Sequence, residues 1–248
     1  MTKIRATLIH LCISAAVVLF VVGLMVFVWY PPPLFSILGG YGLLVLIAGI
    51  DAILGPALTF LIFKPGKKML KLDLSVIGVL QTAALLYGIY TIAEVRPAFV
   101  VFVKDRFELV RAFDIKAEHY AEAKSAEFMS APWTGPKYIG VAFPKAAKEQ
   151  LELMNSSLDG GADIHLLPKY FDDLNFSRSE IGKKAQSLDV LIKLNPVEID
   201  HINKLPDKFK LSRSDIGFVV LRAIRADVAV IVDSRSGEIL ETLMLKPW

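Results

Sequence analysis

Hydrophobic and polar positions divide the chain into two unlike parts. Up to residue 96, three long apolar runs predict transmembrane helices at about residues 8–30, 41–63 and 74–93. Each run is long enough to cross a hydrocarbon core of about 30 Å at about 1.5 Å per residue. From residue 97 onward, shorter apolar segments alternate with charged stretches, as in a water-soluble domain. The pattern predicts a membrane region (1–96) followed by a globular domain (97–248).

The first apolar run ends in Trp29, Tyr30 and three prolines. A signal peptide has an apolar core of about 7–15 residues and a small-residue cleavage site, whereas this run is longer and has no such site. We therefore predict an uncleaved helix. Its two terminal aromatic residues are expected to act as an anchor at the membrane interface.

The second run carries a carboxylate, Asp51, near its middle. A charge at that depth costs about 2.5–3.5 kcal/mol on insertion scales, so a polar partner is expected. Small residues at helical spacing form one face with it, which favours close helix packing. Pro56 should remove one backbone hydrogen bond and kink the helix. The predicted partner-binding positions on this helix are Ala48, Asp51, Ala52, Gly55, Pro56 and Thr59.

The third run offers two polar groups that could meet Asp51. Counted from the helix ends next to the basic loop at residues 64–73, Gln81 lies at about 10 Å, Asp51 at about 18 Å and Tyr87 at about 20 Å. Tyr87 therefore matches the depth of Asp51 better than Gln81 does. Two interpretations stay open: Asp51 bonds within the three-helix bundle, or it receives a helix of another protein.

Orientation follows from the positions of the basic residues. They cluster at the amino terminus and after the second run, and the turn at residues 31–40 has none. Positive loops stay on the cytoplasmic side. The amino terminus and loop 64–73 are therefore expected in the cytoplasm and the carboxy-terminal domain in the periplasm of a bacterium. The residues that determine this topology are Lys3, Arg5, Lys64, Lys67, Lys68 and Lys71.

The pattern after residue 97 predicts an α+β domain with an antiparallel sheet. Segments 98–103 and 106–112 form a hairpin, and a helix rich in Ala, Glu and Lys spans 114–129. Ser177 and Glu180 have capping-box spacing, which predicts a helix to about residue 194. SRSEIG (177–182) and SRSDIG (212–217) are interpreted as reused capping chemistry. The remaining predicted elements are strands 137–143, 218–224, 227–233 and 238–245 and helices 146–158 and 197–204.

Charge and motif content exclude several function classes. Residues 1–96 carry seven Lys and Arg and three Asp and Glu, and the domain carries 21 and 22, so the domain is nearly neutral. This argues against nucleic-acid binding, which needs a concentrated basic face. Cys12 is the single cysteine, and the histidines are scattered. We therefore predict no metal, no cofactor and no catalytic residues, although a serine–lysine dyad stays open.

The chain resembles the TfpX/TfpZ family of type IV pilin accessory proteins, also described as FimB-like. The resemblance covers essentially the whole chain. It rests on WYPPPLF, GIDAILGPALTFLIFKPGKK, KLDLSVIGVLQ, RPAFVVF, GVAFP, LLPKYF and VAVIVDSRSGEILETLMLKPW. Its most specific block comprises Asp51, Gly55, Pro56, Leu58 and Thr59 with the lysines at 64–68.

The resemblance implies an inner-membrane protein that assists pilin stability or pilus assembly and is not an enzyme. Its expected partner is the major pilin, which has a hydrophobic amino-terminal helix, with an acidic residue near its start, and a head domain outside the membrane. That helix is expected to pack on the face of Asp51, and the domain to contact the head. Membrane lipid and a second copy of the chain are further expected contacts. Two alternatives stay open: a structural subunit of an envelope complex without pilin contact, and a membrane-tethered periplasmic enzyme.

Overall fold

A computed structural model describes residues 2–248, the side chain of residue 46 aside. The chain forms two compact units, Met1–Arg96 and Pro97–Trp248. Within the described residues, three helical spans are long and apolar enough to cross a membrane. The spans are Lys3–Trp29, Gly40–Ile62 and Leu70–Val95, here called the first, second and third span.

Two spans contain a π-helical segment. The first joins α1 (Lys3–Leu24) to a π-helix at Met25–Trp29. A short helix, α2 (Leu34–Ile37), precedes the second span. The second span joins α3 (Gly40–Ala48), a π-helix at Gly49–Leu54 and α4 (Gly55–Ile62). The third span is a single helix, α5 (Leu70–Val95). Pro56 explains the second π segment, because its ring would clash with a carbonyl one turn earlier. The Gly55 N–H bonds to the Ile50 carbonyl, an i to i−5 bond that widens the helix there.

The aromatic pair at the end of the first span, Trp29 and Tyr30, is buried inside the membrane unit. Tyr30 is 0% exposed and its hydroxyl donates to the Ile92 carbonyl at 2.8 Å. Trp29 joins it in a cluster with Phe35 and Ile47. A buried tyrosine needs a partner for its hydroxyl, and the last turn of α5 supplies one. The pair therefore fastens the first span to the third.

The second unit is built on one mixed sheet. Its strands are β1 (Pro97–Val103), β2 (Arg106–Arg111), β3 (Lys137–Val141), β4 (Phe171–Asp173), β5 (Gln186–Ser187), β6 (Ile216–Arg222), β7 (Val228–Asp233) and β8 (Ile239–Leu243). Their order is β4-β3-β1-β2-β6-β7-β8, with β5 also beside β6. The predicted hairpin, β1 with β2, is present. The β1–β3 and β2–β6 pairs are parallel and the others antiparallel.

The helices of this unit are short. They are α6 (Ala117–Ala121), α7 (Ala147–Leu158), α8 (Arg178–Lys184), α9 (Leu188–Leu194), α10 (Ile199–Asn203) and α11 (Leu205–Phe209). Helices and sheet enclose apolar clusters, one around Phe99, Phe128 and Phe171 and another around Leu191 and Phe218. The predicted fold class, three transmembrane helices and an α+β domain, is confirmed, and the sheet is mixed rather than wholly antiparallel.

Two predicted helices are wrong. The segment 114–129 contains only α6 and a 3-10 turn, because its buried residues Ile115, Ala123 and Phe128 must all reach the core of the sheet. The segment 177–194 is interrupted by β5, which pairs with Gly217 and Phe218 of β6. A β-carbon at Gly217 would lie 2.7 Å from the Gln186 carbonyl oxygen. Glycine therefore permits the strand contact that breaks the helix.

The predicted capping box is also wrong. The Ser177 side chain makes no cap hydrogen bond, and its hydroxyl lies where a β-carbon of Gly140 would be. Glu180 instead accepts a hydrogen bond from Lys183 at 2.7 Å. The spacing identifies residue types that suit a helix cap. In the structure, however, the Ser177 side chain packs against Gly140 of β3 instead.

Candidate functional site

A polar groove lies among the three membrane helices. It has a volume of about 180 Å³ and is lined by both polar and apolar side chains. Apolar residues of the first and third spans complete its walls. The residues that matter to its chemistry are His10, Ser14, Asp51, Gly78, Gln81 and Thr82. Within a membrane helix bundle, such a concentration of hydrogen-bonding groups marks a functional candidate.

Asp51 is the most constrained group of the polar groove. It is 5% exposed and lies in the π-helical segment of the second span. Among residues 2–248, no group donates a hydrogen bond to its carboxylate. A buried carboxyl group without a donor is costly, and the Asp51 side chain lines the polar groove.

Two polar side chains of the membrane unit, His10 and Thr59, contact each other. The His10 Nδ1 and the Thr59 hydroxyl lie 2.6 Å apart and join the first span to the second. Thr59 is 3% exposed and Ser14 is 6% exposed. Thr59, about two helix turns from Asp51, therefore has a partner in the first span, whereas the Asp51 carboxylate lines the polar groove.

The predicted small-residue face is covered by the chain's own helices. Gly55, Pro56 and Thr59 are buried, while Ala48 and Ala52 are half-buried. A β-carbon at Gly55 would overlap the Gln81 amide of α5. The glycine therefore serves the contact between the second and third spans. Of the predicted positions on this helix, Asp51 lines the polar groove.

The predicted depth match between Asp51 and Tyr87 is wrong. Helix α5 begins at Leu70 rather than 74, so Gln81 lies 11 residues from its start. Asp51 lies 11 residues from the end of α4 at Ile62. Both are therefore about 16 Å from the same end. Gln81 shares the polar groove with Asp51, whereas Tyr87 is 73% exposed.

Three residues of the polar groove were missed by the sequence reasoning. His10, Ser14 and Thr82 belong to the first and third spans, and each is a polar residue within an apolar run. His10 and Ser14 are four residues apart, the spacing that puts two side chains on one helix face. That spacing within an apolar helix is the signal that could have found them.

The basic residues expected to set the topology meet at one end of the membrane unit. Lys3 lies with its ammonium 4.0 Å from the ring centroid of Phe60, near the end of the second span. Lys67 pairs with Asp73 at 2.5 Å across the loop. The other four topology residues are exposed: Arg5, Lys64, Lys68 and Lys71. This positive end is compatible with a single aqueous side, as the prediction requires.

The charged residues of the α+β unit form pairs rather than a recognisable catalytic set. Tyr170 donates to Glu149 at 2.9 Å, and Lys169 pairs with Glu122 at 3.0 Å beside it. Burial, and then the neighbouring glutamates, raise the pKa of Tyr170 to about 12. Within residues 2–248, no group of three His, Cys, Asp or Glu side chains is placed to hold a metal ion.

His165 gives the α+β unit a pH dependence with a definite sign. Burial lowers its pKa below 6.5, against the opposing charges of Asp163 and Asp114, while Arg222 lowers it further. The unfolded chain then binds the proton more readily, so stability is lost as pH falls below 6.5 toward the folded-state pKa. We expect His165 to lower the thermal midpoint of the full-length protein between pH 7 and pH 5. Burial raises the pKa of Glu108, which acts in the opposite direction. The fall should be smaller in His165→Gln, as measured by circular dichroism, and an equal fall in both would assign the effect to other groups.

These features define a membrane protein with three transmembrane helices, a polar intramembrane groove and a globular α+β domain.

Residues 1–39 match the family model "Fimbrial assembly protein FimB". The chain is 32% identical over 221 residues to the fimbrial assembly proteins of Dichelobacter nodosus serogroups I and E1, spanning 88% of this chain and 85% of each relative. It is 38% identical over 117 residues to the protein of serogroups C1 and C2, over 46% of this chain and 89% of that one. No solved structure matches it. The chain belongs to the FimB family of fimbrial assembly proteins.

Proposed function

We propose that this protein is an inner-membrane accessory protein of type IV pilus assembly, and that it binds the hydrophobic amino-terminal helix of pilin through the polar groove. Its amino terminus and basic loop lie in the cytoplasm and its α+β domain in the periplasm, next to the pilin head. Membership of a family named for fimbrial assembly supports the process. The shared positive end of the membrane unit supports the orientation.

The observation that carries the partner assignment is the unbonded carboxylate of Asp51. In lipid, helices associate through close packing and interhelical hydrogen bonds. An incoming helix with a hydrogen-bond donor at this depth would satisfy Asp51 and bury both polar groups together. Because the small-residue face is covered within the chain, the helix approaches through the polar groove and not across that face.

The entry side of the polar groove fits a membrane helix. Gly78 and Thr82 of α5 are exposed at its margin, and a β-carbon at Gly78 would meet no atom within 4 Å. Glycine at a helix surface allows the close backbone approach that helix pairs in membranes use. The polar groove has a volume of about 180 Å³, which suits one or two inserted side chains rather than a large soluble ligand.

The proposal assigns no catalytic step to the chain. In the α+β unit, Glu149 is paired with the Tyr170 hydroxyl and Glu122 with Lys169. Holding a subunit before assembly needs affinity and a route of release, and neither requires covalent chemistry.

Replacing Asp51 tests the proposal. We expect Asp51→Leu to reduce the recovery of pilin with this protein by about ten- to a hundredfold, since hydrogen bonds to charged groups contribute about 1.5–3 kcal/mol. The measurement is co-purification of the full-length protein from native membranes in a mild detergent, with pilin detected by immunoblot. The level of the Asp51→Leu protein should stay near that of the wild type, because the carboxylate makes no bond inside the chain.

The matched control is Thr91→Val, which also removes a polar group from a membrane helix. The Thr91 hydroxyl bonds only to its own helix, at the Tyr87 carbonyl. The Thr91→Val variant should leave pilin recovery unchanged. Equal recovery from the wild type and Asp51→Leu would move the pilin contact out of the polar groove. A collapse in the level of Asp51→Leu would make Asp51 a structural group of the bundle.

A further inference from the structure

Helix α7 carries an apolar stripe that the α+β unit does not use. Its members Leu151, Met154 and Leu158 are 53%, 54% and 78% exposed, and the first residue, Ala147, is also exposed. Their spacings of four, three and four residues put them on one face, in the pattern of the a and d positions of a coiled coil. We call these four residues the α7 stripe.

The opposite face of α7 fixes the helix to the unit. Leu153 packs on the cluster of Ile164, Leu167 and Tyr170. Gln150 donates to the Pro144 carbonyl at 2.7 Å, and Glu149 accepts from Tyr170. The helix is therefore positioned without any contribution from the α7 stripe, and contiguous exposed apolar groups of this kind mark an interaction surface.

The ends of α7 differ in charge and in side-chain size. Lys145, Lys148 and Glu149 lie at its start, which leaves that end with a net positive charge, and Asp159 follows its end. The Ser157 hydroxyl holds Asp163 beside the last turn. An antiparallel copy would bring the basic end of one helix to the acidic end of the other, whereas a parallel copy would bring like charges together.

Size complementarity favours the same arrangement. When two α7 helices run antiparallel about their midpoint, each a position meets a d position of the other helix. The small Ala147 then faces the large Leu158 of the second copy, and Leu151 faces Met154. Neither flank of the stripe places like charges opposite each other, because Lys148 faces Asn155 and Gln150 faces Ser157. Antiparallel helix dipoles also attract.

We propose that the α7 stripe is a homodimer contact in which two copies of this chain pair their α7 helices antiparallel. The contact is isologous, so it closes as a two-fold dimer. A single helix pair buries less than the area of about 1,200 Å² that stable soluble complexes need. Anchoring both copies in one membrane raises their effective concentration, and this allows a small contact to hold.

Pairwise cysteine cross-linking tests both the dimer and its direction. In a full-length Cys12→Ala background, Ala147→Cys and Leu158→Cys variants with different tags are produced together. Native membranes are then treated with a short bis-maleimide. We expect a band at twice the chain mass of 27.4 kDa that carries both tags. It should approach half of the protein, because random pairing makes half of the dimers mixed and only mixed dimers cross-link. Each variant alone should dimerise without being cross-linked, because identical ends of antiparallel helices lie about 16 Å apart.

Val197→Cys is the control for random collision, since Val197 is apolar, 91% exposed and outside α7. Cross-linking of the mixed pair at or below the level of Val197→Cys would overturn the dimer. Strong cross-linking of Leu158→Cys alone would overturn the antiparallel arrangement. The dimer and the pilin contact are independent, because they use different units of the chain.

Discussion

Gly237→Ala is expected to lower the free energy of unfolding of the α+β domain by about 2–5 kcal/mol. Gly237 has φ of +70°, in the left-handed region that costs other residues about 1–2 kcal/mol. An added β-carbon would lie 2.5 Å from the Arg178 carbonyl carbon and 2.7 Å from its Cα. These are backbone atoms, so they cannot rotate away, and overpacking adds about 1–3 kcal/mol.

Gly160→Ala is the matched control for that substitution. Gly160 has φ of +82°, but a β-carbon there meets no atom within 4 Å. It should show only the backbone term, about 1–2 kcal/mol. The measurement is the thermal midpoint of the full-length protein in detergent, where about 2–4 °C corresponds to 1 kcal/mol for a domain of this size. Equal shifts for the two variants would show that the turn can move away from Arg178.

The turn at Ser234–Gly237 explains a pattern that the sequence left ambiguous. By their sequence, the near-identical hexapeptides SRSEIG and SRSDIG suggest reused capping chemistry. In the structure their glycines, Gly182 and Gly217, both face Ser234 in this turn. The Asp215 carbonyl also accepts from the Ser234 N–H at 2.7 Å. The shared residues thus have a common packing role, which depends on contacts across the sheet and cannot be derived from spacing.

Membrane helices were predicted well because their signal is local. A long apolar run identifies a span whatever it packs against, and Asp51 stood out as a charge within one. Helix ends are set by weaker preferences, and placing the third helix at 74 instead of Leu70 moved Gln81 four residues in depth. That error selected Tyr87 as the partner by depth. The position of a site between helices thus depends on where each helix begins and ends, and a single sequence defines those helix ends poorly.

In the α+β unit, pairing between neighbouring strands could be predicted from the sequence, whereas pairing between distant strands could not. The hairpin of β1 and β2 could be predicted because its two strands are consecutive, joined at Lys104 and Asp105. The parallel β2–β6 pair joins residues more than a hundred positions apart, and no local pattern specifies such a pairing. Helical propensity likewise failed for 114–129, where burial of Phe128 outweighs it.

Filling the polar groove from its margin gives the largest expected effect on partner binding. Gly78→Leu should abolish pilin recovery while leaving the level of the protein unchanged. A β-carbon at Gly78 meets no atom within 4 Å, so a leucine side chain is accommodated without displacing a neighbour in the chain. The side chain would occupy the entry of a groove of about 180 Å³ and block the close approach of a second helix.

Gly42→Leu is the control, because Gly42 also lies in a membrane span with open space at its β-carbon, and it is outside the polar groove. Both variants add the same apolar bulk where no atom of the chain lies within 4 Å. Co-purification of pilin from native membranes, normalised to the recovered protein, measures the difference. A loss confined to Gly78→Leu would locate the client helix at the α5 margin. Pilin retained by Gly78→Leu would contradict the polar groove as its entry, even if Asp51→Leu had reduced recovery, because a helix bonded to Asp51 must pass this margin.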